Sequence, residues 1–219
     1  LKYVILKSEF LHIKKHLDAL MIKDEHAGPF GYMVRSLYFD SIYDRDLYDK
    51  LDGVLEKRKI RIRIYDWKVK SGKLEYKCKN GTDGVKYSLS LTRGEIQDML
   101  DHNYTFLMDR DEELAQRIYL RMSAGAYTPK TIIEYNRLAY KYPVSDTRVT
   151  FDTEVRASLT PFGLLEEDPG YIPIIPTDQG VLEIKYNNFF PGALKQVIQA
   201  IDRLQTANSK YAQGRLLHG

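Results

Sequence analysis

Hydrophobic and polar positions along this chain alternate with a period of two in segment after segment, which predicts strands with one apolar and one polar face. Eight such segments stand out, at residues 2–7, 34–40, 59–65, 74–79, 85–91, 130–139, 149–159 and 180–186. Helical spacing appears at 8–21, 94–101, 109–124 and 191–204, with a shorter stretch at 210–217. Thr92 and Glu95 form a capping box ahead of the second helix, and Pro191 sits near the start of the fourth, where a missing N–H costs nothing. Asn80-Gly81 and Asp83-Gly84 supply turn residues for a hairpin between the fourth and fifth strands. Residues 166–180, with Pro169, Pro173 and Pro176, read as a long surface loop.

The charges on these strands share faces. From Lys59 to Ile64 every basic residue falls on one side and every isoleucine on the other. Lys73, Glu75, Lys77 and Lys79 oppose Leu74, Tyr76 and Cys78, while Lys86, Ser88 and Ser90 oppose Val85, Tyr87 and Leu89. Arg148, Thr150, Asp152, Glu154 and Arg156 oppose Val149, Phe151 and Val155; Glu183 and Lys185 oppose Leu182 and Ile184. A solvated antiparallel sheet explains any one strand. Five strands dense in Arg and Lys fit a closed barrel better, with a charged bore and helices covering its apolar outside. The expected fold is therefore α+β, mainly β: an eight-stranded antiparallel closed β-barrel in a single domain, 1–219.

Composition narrows the chemistry. The 219 residues carry 33 Lys+Arg against 30 Asp+Glu, 43% are hydrophobic and 17 are tyrosine, as in a strand-rich globular protein. No apolar run is long enough for a transmembrane helix, and one cysteine, Cys78, excludes an intrachain disulfide framework and fits a cytoplasmic, reducing setting. Leu1 in place of Met leads us to expect a native start upstream. Like charges crowded on one face repel unless a polyanion occupies the space. Carboxylates among them suit a divalent cation bridging phosphate oxygens better than a nucleic-acid surface, so tri- or polyphosphate with metal is the expected ligand and nucleic acid is not.

Other groups read more blandly. His12 and His16 lack the glutamate of a zinc helix motif and belong on an exposed helix face. Cys78 faces packing. Arg58 points away from the polar face. Asp40, Asp44 and Asp46 lack the glycine of a calcium loop, and for Tyr38 and Asp40 a structural or a bore-facing role stays open.

Seven stretches occur in family order: Ser36-Leu-Tyr-Phe-Asp40, Arg58-Lys-Ile-Arg61-Ile-Arg63, Leu74-Glu-Tyr-Lys77, Tyr135-Asn-Arg137-Leu-Ala-Tyr140, Arg148-Val-Thr-Phe-Asp152, Leu182-Glu-Ile-Lys185-Tyr and Ser209-Lys-Tyr211. Together they resemble the VTC (vacuolar transporter chaperone) catalytic domain of polyphosphate polymerases, within the triphosphate tunnel metalloenzymes, in its short bacterial form. The resemblance implies transfer of the γ-phosphoryl group of ATP to a growing polyphosphate chain, with Mn²⁺ or Mg²⁺ as cofactor. It implies catalytic roles for Arg61, Arg63, Lys77, Arg137, Arg148 and Glu183. Lys2, Lys59, Lys86, Lys185 and Lys210 would bind phosphate, and Glu183 with Glu75 would hold the metal. The ExExK signature of the related cyclase and thiamine-triphosphatase branch would lie ahead of Leu1. A triphosphate hydrolase and a non-catalytic polyphosphate- or nucleotide-binding module remain open. The implied partners are ATP and polyphosphate, and a membrane partner protein is compatible with the chain.

Overall fold

The computed structural model describes residues 1–219 apart from 82, 159, 188, 189, 200, 202–204, 207, 208, 218 and 219, with only the backbone at 196–199. Among the described residues, ten strands form one sheet. Its order is β1 (Lys2–Leu6), β10 (Gln179–Lys185), β8 (Arg148–Ser158), β7 (Thr128–Lys141), β3 (Tyr32–Asp40), β4 (Glu56–Ile64), β5 (Ser71–Asn80) and β6 (Asp83–Thr92). Two short strands lie off this path: β2 (Ile22–Lys23) pairs with β7 and β9 (Tyr171–Pro173) with β8.

The expected closed barrel is overturned: the order is an open path ending at β1 and β6. Alternation tells which side chains share a face, but it carries no information about whether the outermost strands find each other. The β6 end is managed by polarity instead, with Lys86, Ser88, Ser90 and Thr92 exposed along it and Arg110 Nη1 bonded to the Ser90 carbonyl at 3.1 Å.

The chain divides into two compact units. The first comprises Leu1–Met33, Glu134–Arg156 and Pro173–Ser209. The apolar faces of β1, β10 and β8, with Ile5, Leu182, Ile184, Val149 and Phe151, pack against α1 (Lys7–Leu20) and α5 (Gly192–Gln199). Phe10, Ile13 and Leu17 recur on one stripe of α1, and the Phe10 ring stacks on Phe151 with centroids 3.8 Å apart. Gly180 is required beside this stack, because a Cβ there would lie 2.5 Å from the Phe151 ring. The predicted helix at 191–204 is seen as α5 over its first half; residues 200 and 202–204 lie outside the described residues.

The second unit comprises Val34–Ile133, Ala157–Ile172 and Lys210–Gly219. Leu37, Phe39, Ile60, Ile62, Ile64, Leu74 and Leu91 form its buried sheet face. Covering them are α3 (Arg93–Leu100), through Ile96 and Met99, and α4 (Glu113–Ala124), through Ala115, Ile118 and Met122. Removing the apolar area of each Leu, Ile, Phe or Met side chain among these from water contributes about 1.5–3 kcal/mol. The capping box is present: Glu95 N–H donates to Thr92 Oγ1 at 3.2 Å, and Thr92 N–H donates to Glu95 Oε2 at 2.7 Å. Asn80 pairs with Asp83 across the hairpin, with Gly81 at φ +58°, the left-handed region that glycine occupies without strain.

One element of this unit was not legible from spacing. The helix α2 (Arg45–Leu51) has seven residues, and Leu47 is its one buried hydrophobic residue, too little for a periodic signal. The long loop is organised by Arg35, which is buried and donates to the carbonyls of Leu164, Glu166 and Glu167.

Candidate functional site

In the second unit the strand register builds the polar face row by row. Arg61 on β4 stands between Tyr38 on β3 and Glu75 on β5, and Glu75 stands opposite Ser88 on β6. Arg61 Nε donates to Glu75 Oε2 at 2.6 Å and Arg61 Nη1 donates to the Tyr38 hydroxyl at 3.0 Å. Lys86 Nζ donates to Glu75 Oε1 at 3.0 Å, and Arg63 Nη1 lies 3.7 Å from that same oxygen. One carboxylate, almost entirely buried, thus meets three cations. The Lys59 ammonium lies 5.5 Å and 5.3 Å from the ring centroids of Tyr38 and Tyr211, which stack on each other at 5.0 Å. Tyr211 opens onto Asp40, donating its hydroxyl at 2.5 Å.

The electrostatics follow from this packing. Burial disfavours the Glu75 carboxylate, but Arg61 and Arg63 outweigh it, with hydrogen bonds from Lys86 and Arg61, and its pKa is pushed down to about 2. Burial also disfavours the Tyr38 phenolate, yet Arg61, Lys59 and Arg63 bring the phenol down to about 8. Asp40 receives the backbone N–H groups of Ser41, Asp46 and Leu47, so it serves the start of α2. Burial and the neighbouring Asp40 raise Asp46 to about 6.

In the first unit, Arg137 on β7 donates Nε and Nη2 to the two oxygens of fully buried Asp152 on β8, at 2.7 and 2.8 Å. Its guanidinium carbon also lies 5.1 Å from the Tyr135 ring centroid. Lys2 and Lys185 place their ammoniums 3.8 and 3.6 Å from Glu183 Oε1. Thr150 stands opposite Glu183 in the register, and its buried Oγ1 has no hydrogen-bond partner among the described residues.

Register and contacts therefore gather the expected residues in parts. Arg61, Arg63 and Lys86 meet at Glu75. Lys77 lies in register between Lys59 and Lys86, and Lys210 begins α6 (Lys210–Leu216) beside Tyr211. Lys2, Lys185 and Glu183 form a group in the first unit, where Arg137 is paired with Asp152. Arg148 is the outlier: its exposed guanidinium pairs with Asp24 at 3.1 Å, although the register sets it opposite Lys185. Glu154 leaves the polar row. Its backbone turns left-handed at φ +53°, which breaks the alternation, and its exposed side chain lies 3.8 Å from Lys7. Arg58, as expected, shares the face of Cys78 and pairs with Glu56 at 2.6 Å. The sequence reading left the role of Tyr38 open and missed Tyr211 and the part played by Asp152. Tyr38 and Asp152 were on the correct faces by alternation, but only the register names their partners.

The two carboxylates differ in their fitness for a divalent cation. Among the described residues no three His, Cys, Asp or Glu side chains form a cage. Magnesium and manganese at phosphate sites take one or two carboxylates and draw further oxygens from the phosphates. Glu183, with the unpartnered Thr150 oxygen opposite, fits that pattern. Glu75 does not, because both its oxygens are already held by cations.

A profile of the VTC domain matches residues 1–218. No curated protein matches the sequence. Among solved structures, a candidate adenylyl cyclase from Hippeastrum, described as having a dominant triphosphatase activity, is 13% identical. Its TM-score is 0.60, with coverage of 98% of this chain and 93% of that one. A candidate adenylate cyclase from Bacillus halodurans is 12% identical with a TM-score of 0.57, covering 95% of this chain and 92% of that one. At these identities the likeness is one of fold.

Proposed function

This chain belongs to the VTC domain family, and from that membership we propose that it is a metal-dependent polyphosphate polymerase that moves the γ-phosphoryl group of ATP onto a phosphate chain. The observation that carries it is the convergence of Arg61, Arg63 and Lys86 on one buried carboxylate, with Lys59 and Lys77 alongside. This is a face whose cations outnumber its anions and whose spacing is set by strand register.

Phosphoryl transfer asks little covalent chemistry of a protein; it asks for in-line positioning and for charge to be absorbed on the oxygens of the transferred group. Arg61 and Arg63 supply planar guanidinium forks for phosphate oxygens, and Glu75 holds Arg61 in a set orientation before substrate arrives. Lys59, Lys77 and Lys86 supply point charges along the phosphates. In the first unit Arg137 is oriented by Asp152, and Lys2 and Lys185 flank Glu183. A divalent cation held by Glu183, when bound, would neutralise phosphate charge and polarise the oxygens it touches. No side-chain nucleophile enters the scheme, and the acceptor is the terminal phosphate of the chain.

The test is a product assay. The protein is incubated with ATP and Mn²⁺ or Mg²⁺, and the products are resolved for ADP and long phosphate chains. Chain growth with ADP release is the expected result. Orthophosphate without chain growth would replace this reading with a triphosphate hydrolase. Binding of tripolyphosphate without ATP consumption would replace it with a binding module.

A further inference from the structure

The polar face of the second unit extends beyond the cluster around Glu75. The β4–β5 register continues without a break, setting Lys59 opposite Lys77 and then Lys57 opposite Lys79, and Lys77 in turn faces Lys86 on β6. Each step along the strands advances two residues, about 7 Å. Starting at Arg61, the basic face therefore runs about 14 Å further towards the hairpin, through the three-lysine row and the Lys57–Lys79 pair.

The Lys57–Lys79 row is unfavourable for the protein alone. Residues directly opposite in an antiparallel pair have their Cβ atoms about 5 Å apart, and like charges so placed destabilise the sheet. Around Arg61 that repulsion is offset by Glu75. Among the described residues, no ion pair joins Lys57 or Lys79 to a carboxylate. Gly84, which faces Lys79 across the hairpin, adds a second observation: a Cβ built there would lie 3.8 Å from both Lys77 Cε and Lys79 Cγ. The two lysine stems thus lie against the same stretch of backbone at Gly84.

We propose that Lys57 and Lys79 form a chain-length subsite, engaging the part of a linear polyphosphate that extends past the Arg61–Arg63 cluster towards the β5–β6 hairpin. This rests on the polymerase reading above and adds a direction to it. A linear phosphate chain carries one negative charge per unit and has no bulky group to clear. It can lie along successive lysine rows, offsetting their mutual repulsion as it binds. A tripolyphosphate seated on Arg61 and Arg63 is too short to reach the Lys57–Lys79 pair.

The experiment measures binding of tripolyphosphate and of long-chain polyphosphate to the full chain and to its Lys57→Gln/Lys79→Gln variant, over a range of salt. The expected result is an affinity for the long chain lowered about tenfold, and a slope of log affinity against log salt lowered by about two, one for each lost contact. Affinity for tripolyphosphate stays within about twofold. Equal losses for both ligands, or an unchanged long-chain affinity, would overturn the subsite while leaving the polymerase reading in place. So would tighter binding of a single-stranded oligonucleotide than of polyphosphate at matched salt. Failure of the unmodified protein to bind tripolyphosphate would overturn both readings. Because the substitutions relieve like-charge repulsion, the variant should melt no lower than the parent, which the same samples verify.

Discussion

Arg61 brings both Nε and Nη2 to within 2.6 Å of the same oxygen of Glu75. In the absence of phosphate this carboxylate is the anion that the basic face holds. Replacing it by Gln leaves Arg61, Arg63 and Lys86 without their counter-ion. The Glu75→Gln variant should therefore lose about 3–5 kcal/mol of stability, the usual consequence of breaking a buried charge pair, while its affinity for tripolyphosphate rises. Urea unfolding and calorimetric titration read the two quantities. A fall in Mn²⁺ affinity with no gain in phosphate affinity would instead make Glu75 a metal ligand. In the parent protein Glu75 is depressed from 4.5 to about 2, so its contribution is fully present above pH 4.5 and is lost as pH falls towards 2.

Arg61→Ala and Arg63→Ala should each weaken tripolyphosphate binding by about 1–3 kcal/mol, the range for charge-assisted hydrogen bonds. The Arg61 change should also free Tyr38 and lift its phenol back towards the ordinary value, visible in an ultraviolet titration. If neither change moves the affinity, the phosphates do not sit on this face.

Tyr38 gives the site a pH dependence on the alkaline side. Its phenol ionises near 8 in the folded protein against 10.0 ordinarily, so between these values the unfolded chain binds more protons. Tyr38 ionisation then adds stability as pH rises from about 8 to 10, a gain lost as pH falls back through 8. Over the same range the phenolate competes with phosphate for Arg61 and Lys59, and tripolyphosphate affinity should fall. Tyr38→Phe should abolish both trends. An alkaline decline identical in Phe and parent would assign it to another group.

Asp46 works in the opposite direction. Raised from 3.8 to about 6, it is protonated in the fold where the unfolded chain is already ionised. Its contribution is full below pH 3.8 and is lost as pH rises towards about 6. Asp46→Asn can still accept the 2.9 Å bond from the Tyr127 hydroxyl, so the variant should keep its stability and flatten this part of the pH profile. Denaturation midpoints at pH 4 to 7 compare the two.

Asp152→Asn removes the charge that orients Arg137. With Asp152 fully buried, the cost should be about 3–5 kcal/mol, measured by denaturant unfolding. A loss below about 1 kcal/mol would mean that solvent already satisfies the guanidinium.

The division of labour between sequence and fold is visible in particular residues. Period-two alternation by itself determined that Arg61, Arg63, Glu75, Lys77 and Lys86 share polar faces and that Ile60, Ile62 and Leu74 line the core. Backbone geometry forces successive side chains to opposite sides whatever the tertiary context. Local residue types likewise placed the capping box at Thr92 and the hairpin at Gly81. Alternation could not say which strands neighbour one another, because pairing is made by contacts far apart in sequence. Only the tertiary structure decided that Tyr38 meets Arg61, that Asp152 serves Arg137, and that Arg148 turns to Asp24. The same non-locality explains the two larger departures. Glu154 leaves its row through a single left-handed residue, and the open edges of the sheet were not legible because nothing in a strand's own pattern specifies what lies beyond its last neighbour.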